Sequence, residues 1–218
     1  DGDIQMGKQV GLDLRFHTDR TRLTPRLKDR FPDRVSAVLK ELGLRGQFEA
    51  QGTLSYPADG TEAVSLRADV PFYDVELGGE DAPIRGSGRM HLDFAALTVS
   101  NQDFTGNIRF DSLQIAGIQV DKGSASLARR GQKLEIDAGS FAVCNGNVEI
   151  SEAAFQLEDR SWSASAQLSY LELESLLLAL GMEGRKVPSG VIQGSVSLEG
   201  ADLTTKALSG NGELRVSR

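Results

Sequence analysis

Side chains able to do chemistry are few in this chain, and their spacing keeps them apart. There are two histidines and one cysteine in 218 residues. His17 and His91 each sit on the polar phase of an alternating segment, beside Arg15 and Asp93. A metal site or an acid/base dyad would therefore require the fold to bring two solvent-facing imidazoles together. Cys144 falls on the phase opposite Phe141 and Val143, next to a turn and with no histidine nearby, which is the setting of an inert thiol. The carboxylates are scattered over polar strand faces and turns, and Glu172 and Glu174 project from different sides of a helix, so no acid/base pair is formed. Gly86-Ser87-Gly88 lacks the third glycine and the following helix of a dinucleotide fingerprint, and no Gly-x-Ser-x-Gly elbow or phosphate loop occurs. The expectation is a protein with no catalytic residues, no metal ligands and no cofactor, hence not an enzyme.

Charge and composition narrow the class further. A net charge of -7 repels a phosphate backbone, so nucleic acid is not an expected partner. Arg20, Arg22, Arg26, Lys28, Arg30 and Arg34 form a basic cluster, but Asp19, Asp29 and Asp33 are mixed into it. A solvated helix face is the expected use, with anionic headgroups or an acidic partner as the alternative. The single cysteine excludes an internal disulfide and a Cys-based zinc site, and it fits either a reducing compartment or a periplasm without bridges. No apolar run approaches the ~20 residues of a membrane helix. The chain opens on Asp1-Gly2-Asp3 and closes on the strand-like Gly212 to Val216, from which a fragment of a longer protein is expected.

The elements that would hold these residues are mostly strands. Hydrophobic content is 39%, aromatics are only 6%, and 24 glycines suit many strands joined by tight turns. Val10, Leu12, Leu14 and Phe16 alternate with polar residues, giving a first strand that ends before Asp19-Arg20. Thr24 caps a helix with Pro25 at its first position, and apolar spacing from Leu27 through Leu42 carries it over about residues 24–42, with a kink at Pro32. Two alternating segments around the turn Pro57-Ala58-Asp59-Gly60 make a hairpin, with a bulge expected at Pro71 to Tyr73 where the apolar phase slips. Further strands follow, with turns expected at Asp121-Lys122-Gly123, Arg130-Gly131, Asn145-Gly146-Asn147 and Glu158-Asp159-Arg160. Trp162 to Tyr170 alternates strictly, then a leucine-rich helix runs over about residues 171–181, before a Gly-punctuated hairpin. The succession of helix, Gly-spaced strand and hairpin occurs twice, from Gly46 and from Gly190, as a weak internal repeat.

Strands joined by such short turns pair antiparallel. The expected fold is mainly β: one domain over residues 1–218, a long antiparallel meander curled into a β-groove or open barrel, with two short helices. Its apolar phase would be formed by Phe48, Leu54, Val64, Leu66, Val70, Met90, Leu92, Phe94, Ile108, Phe110, Leu134, Ile136, Val148, Ile150, Trp162, Leu168, Val196 and Leu198. Leu171, Leu176, Leu177 and Leu180 would form a helix that caps the trough. A sheet of this kind cannot leave one face bare in water, so it must curl on itself, meet another sheet or hold an apolar ligand.

Residues 134–214 show a family pattern. Leu134-Glu135-Ile136, then Phe141 to Ile150 around Asn145-Gly146, then Trp162 to Tyr170 and Leu171 to Leu180 occur in succession. They are followed by Gly190-Val191-Ile192-Gln193-Gly194 and Leu208-Ser209-Gly210-Asn211-Gly212-Glu213-Leu214. This order resembles the C-terminal region of AsmA-like proteins, the relatives of TamB and of repeating β-groove lipid-transfer proteins. Asn145-Gly146 stands where that family often has two glycines. The resemblance implies a periplasmic module of the Gram-negative envelope, inner-membrane anchored through an N-terminal helix absent here. It also implies a taco-shaped sheet with an apolar interior, phospholipid acyl chains as ligand and a part in outer membrane biogenesis. The alternative is an assembly module for outer-membrane protein insertion or secretion, whose exposed edges pair with protein partners.

Overall fold

Residues 4–6, 12–30, 44–57, 64–77, 84–98, 102–115, 117–182, 188–201 and 208–217 are described, in a computed structural model. The chain divides into two compact units, Asp1–Ala116 and Gly117–Arg218. The first holds β1 (Ile4–Met6), β2 (Leu12–Arg22), α1 (Pro25–Lys28), β3 (Arg45–Tyr56), β4 (Val64–Leu77), β5 (Ile84–Leu97) and β6 (Phe104–Ile115). The second holds β7 (Ile118–Arg130), β8 (Lys133–Val143), β9 (Gly146–Gln156), β10 (Trp162–Glu172), α2 (Leu173–Ala179), β11 (Val191–Gly200) and β12 (Leu208–Ser217). Within each unit every strand pairs antiparallel with its neighbour in sequence. The fold is therefore mainly β, an antiparallel meander with two short helices, as the alternation and the turn spacing implied.

Turn chemistry drives the meander. Cys144 and Asn145 both take positive φ, 46° and 60°, between the paired residues Val143 and Gly146. That is the left-handed pair of a type I′ turn, whose twist matches the strands it joins. Gly131, with φ 61°, serves the same end between β7 and β8. At the end of β9 the Asp159 carboxylate accepts from the Ser161 backbone N–H at 2.9 Å and from its hydroxyl at 2.7 Å.

Several boundaries differ from those expected. The first strand does not stop before Asp19: β2 carries one extra residue between Thr18 and Thr21, as a bulge, then pairs again at Thr21↔Phe48 and Arg22↔Gln47. Asp121-Lys122-Gly123 is not a turn but the interior of β7, where a register shift between Val120 and Lys122 absorbs the change of phase. Leu171 belongs to β10 rather than to the helix. Tyr170, at φ 58°, absorbs an extra residue, which returns Leu171 to the buried phase opposite Ile192. The phase slip of β4 lies one step beyond its expected place, between Phe72 and Val75, with Asp74 at φ 48°. Thr24 caps α1 as its position implied, its hydroxyl accepting from the Leu27 N–H at 3.2 Å, and Pro25 is the first helical residue. The helix expected over 24–42 ends at Lys28, with Asp29 as its C-cap and Arg30 in a turn; its remainder from residue 31 on, with the kink at Pro32, lies outside the described residues, as does most of the Pro57 to Gly60 turn.

Packing is shallow. Among the described residues the buried hydrophobics are Ala68, Leu113, Val120, Ala125, Ala128, Val143, Leu171 and Ile192, and no large side chain is fully buried. Three of these are alanines, so most of the large apolar side chains on the strands are only half-covered. They gain contact by lying down across the sheet over glycines of neighbouring strands. A Cβ on Gly52 would come within 2.7 Å of the Phe16 ring, and one on Gly88 within 2.9 Å of the Phe72 ring. In the second unit the Phe141 ring covers Gly123 and Gly139, and the Trp162 indole covers Gly200. Glycine in a strand interior weakens the strand, and here it is offset by the contact that the ring makes with the bare backbone.

Candidate functional site

Directly paired residues of an antiparallel ladder share a face, so the register shows which side chains stand together. In the first unit one row runs Leu14↔Leu54↔Leu66↔Phe94, and a second runs Val70↔Met90↔Ile108. A third runs Phe48↔Phe72↔Gly88↔Phe110, with the Phe72 and Phe110 rings in edge contact at 5.9 Å. Leu92 and Val64 lie on the same phase of β5 and β4, beside Ala68 and Leu66. In the second unit the rows are Leu134↔Phe155↔Trp162, Ile136↔Ala153↔Ala164↔Leu198, and Ile150↔Ala166↔Val196. Phe141↔Val148↔Leu168↔Gly194↔Leu214 completes them. Within its own unit, then, each apolar residue singled out from the sequence shares one face with the others.

That face is accessible. Its large side chains are half-buried, and Tyr56 (42%), Leu198 (38%), Leu214 (55%) and Val216 (58%) are more exposed still. Phe16, Phe72, Phe141 and Phe155 also belong to it and were missing from the expected lining, although their parity in the sequence carries the same signal. So were Leu214 and Val216, on a strand whose glycines at alternate positions dilute its apolar phase.

The helix α2 sits at one end of the second unit, against β10 and β7. Leu176 and Leu177 are half-buried and Leu180 is 58% exposed. Its start is fixed by hydrogen bonds from the Glu172 N–H to the Cys144 carbonyl at 2.8 Å and from the Leu173 N–H to the Gly190 carbonyl at 2.9 Å. The Glu172 carboxylate accepts from the Ser175 hydroxyl at 2.5 Å and from the Asn145 amide at 2.7 Å, and these two bonds hold it below the usual carboxylate range. Burial, together with the negative charges of Glu172 and Asp121, pushes the Cys144 thiol up, which is the opposite of nucleophile activation.

On the polar face, His17↔Gln51↔Asp69↔His91 form one cross-strand row. The two histidines are three strands apart, roughly 14 Å at ~4.8 Å per strand, and do not meet. His91 instead pairs with Asp69 at 3.0 Å, and Arg67 with Asp93 at 3.2 Å. Among the described residues no group of three or more His, Cys, Asp or Glu side chains could hold a metal ion. The basic cluster is not one helix face: Arg20 and Arg22 are on β2, Arg20 lies 3.8 Å over the Tyr73 ring, and Lys28 is buried. Arg26 and Arg30 are exposed, while Arg34 lies outside the described residues. A depression of about 590 Å³ opens at the ends of β8–β12, and its lining is mixed, with Lys133, Glu152, Ser163 and Glu199 beside Ala154 and Trp162. Among the described residues no helix is long and apolar enough to cross a membrane.

No family model, curated protein or solved structure matches the chain.

Proposed function

We propose that the apolar face of each unit binds lipid acyl chains, and that the protein is a non-enzymatic lipid-binding or lipid-conducting module of the bacterial envelope. The observation that carries this reading is the mismatch between the face and its cover. Rows of Leu, Ile, Val, Met and Phe side chains stand in register, yet among the described residues no large one is fully buried. Each methylene of a ligand laid on such a surface gains ~0.8 kcal/mol, so non-directional contact along a chain is enough for binding and no polar site is needed. The rings that reach over Gly52, Gly88 and Gly123 fill the space a side chain would take there, and such a surface suits an extended alkyl chain. The resemblance of residues 134–214 to AsmA-like proteins supports a periplasmic setting, in a longer chain anchored to the inner membrane, with phospholipid as the ligand.

Native mass spectrometry of the purified chain tests the proposal. Phospholipid should co-purify, and Leu66→Asp and Phe110→Asp should each lower its occupancy while the far-ultraviolet circular dichroism stays that of a β protein. Unchanged lipid content in both folded variants, or no lipid at all in the parent, would overturn the reading.

A further inference from the structure

Charge pairing on the polar face of the first unit has one exception on β5. That strand carries Arg85, Arg89, His91 and Asp93. Three of them face an opposite charge on β4: Asp93 meets Arg67 at 3.2 Å, His91 meets Asp69 at 3.0 Å, and Arg85 meets Glu76 at 2.9 Å. Arg89 instead faces Pro71 on β4, which offers no charge, and Arg109 on β6. Two exposed guanidinium groups therefore stand directly opposite each other. Neither has an ion-pair or hydrogen-bond partner among the described residues. Within this unit Glu49 lies one strand beyond Pro71, and Asp111 follows Phe110 where the register of β5 and β6 shifts. Neither carboxylate bonds to the two arginines.

Like charges directly opposite across a ladder are destabilising, and the other charged rungs of β4 and β5 avoid them. The arrangement gains a use if an anion occupies it. Paired residues of an antiparallel ladder have Cα atoms about 4.5–5.5 Å apart, so both forks can reach one ligand. A carboxylate has two oxygens and is saturated by a single bidentate fork. A phosphoryl group has three terminal oxygens, accepts from both forks at once and cancels the repulsion between them. With a net charge of -7 the chain repels an extended phosphate backbone, so a single phosphoryl group fits better than nucleic acid. Arg89 and Arg109 lie on the phase opposite Met90 and Ile108, so an acyl chain on the apolar face leaves them free to act.

We infer that Arg89 and Arg109 form a phosphoryl-binding site on the polar face of β5 and β6, taking a phosphate monoester group carried by a small solute or by a lipid headgroup.

Titration with inorganic phosphate, followed on the arginine Nε–H resonances by NMR, tests this, since substitutions on an exposed face leave the fold intact. The Arg89 and Arg109 signals should shift together and saturate with one dissociation constant. Exposed Arg15, opposite Thr53, should show no saturable shift. Arg89→Gln and Arg109→Gln should each weaken phosphate binding about tenfold. Shifts that do not saturate, equal saturation at Arg15, or parental affinity in either variant would overturn the inference. Co-sedimentation with phosphatidylcholine vesicles, with and without phosphatidic acid, identifies the source of the group. Vesicle binding that needs phosphatidic acid and is lost in R89Q/R109Q assigns it to a lipid headgroup, and phosphate binding without vesicle binding assigns it to a soluble monoester. Acyl-chain binding on the apolar face depends on neither arginine, so failure of one reading leaves the other standing.

Discussion

Gly123→Ala is the sharpest probe of how the apolar face is built. The three atoms that an added Cβ would meet first all belong to the Phe141 ring, and the backbone at Gly123 does not have positive φ. The closest collisions of the methyl are therefore all with one side chain. Overpacking of this kind costs ~1–3 kcal/mol. Phe141→Ala alone removes a half-buried ring, and at about half the usual cost for a buried phenylalanine it should destabilise by ~2 kcal/mol. In that background the three closest collisions are gone, and the replacement of a strand glycine by alanine should become neutral or stabilising by up to ~1 kcal/mol. A double-mutant cycle read by urea unfolding, with unchanged m-values, should give a coupling energy of about 2 kcal/mol. Equal destabilisation by Gly123→Ala in both backgrounds would refute the idea that glycine is kept there as a seat for the ring.

Two titrations probe the junction between α2 and the β8–β9 turn. Glu172 is held ionised by Ser175 and Asn145, so its contribution to stability is complete above the carboxylate's unfolded pKa and is lost as the pH falls through the lower folded value. The difference in melting temperature between the parent and Glu172→Gln should accordingly disappear in acid, and Ser175→Ala should raise the Glu172 midpoint measured by NMR. With its pKa raised mainly by burial and next by Glu172, Cys144 should react with iodoacetamide more slowly in the folded chain than in the unfolded one. Loss of the negative charge in Glu172→Gln should speed that reaction.

Parity along the chain was enough to place the strands and the shared face, because a period of two survives any hairpin that joins matching rungs. It failed where the backbone inserts a residue. Asp121-Lys122-Gly123 has the composition of a turn, yet Gly123 is a strand residue whose lack of a side chain is used by the ring of its cross-strand partner on β8, Phe141. Leu171 looked like the first residue of a helix because nothing in the sequence announces that Tyr170 takes a left-handed conformation. The return of β2 to pairing after Thr18 is equally silent, since Thr21 and Arg22 carry no apolar alternation. For the candidate site, the side chains that share the face were legible, whereas their shallow burial depends on what lies above them and is not encoded in any local pattern.

Face-resolved photocrosslinking tests the central claim most directly. Benzoylphenylalanine would be placed at Ile108 or Ile150 on the apolar phase and at the neighbouring polar-phase positions Asn107 or Glu149, and the chain incubated with vesicles of phosphatidylethanolamine and phosphatidylglycerol. Phospholipid adducts should form at Ile108 and Ile150 and be absent at Asn107 and Glu149. Adducts in equal yield on both faces, or on neither, would contradict the account.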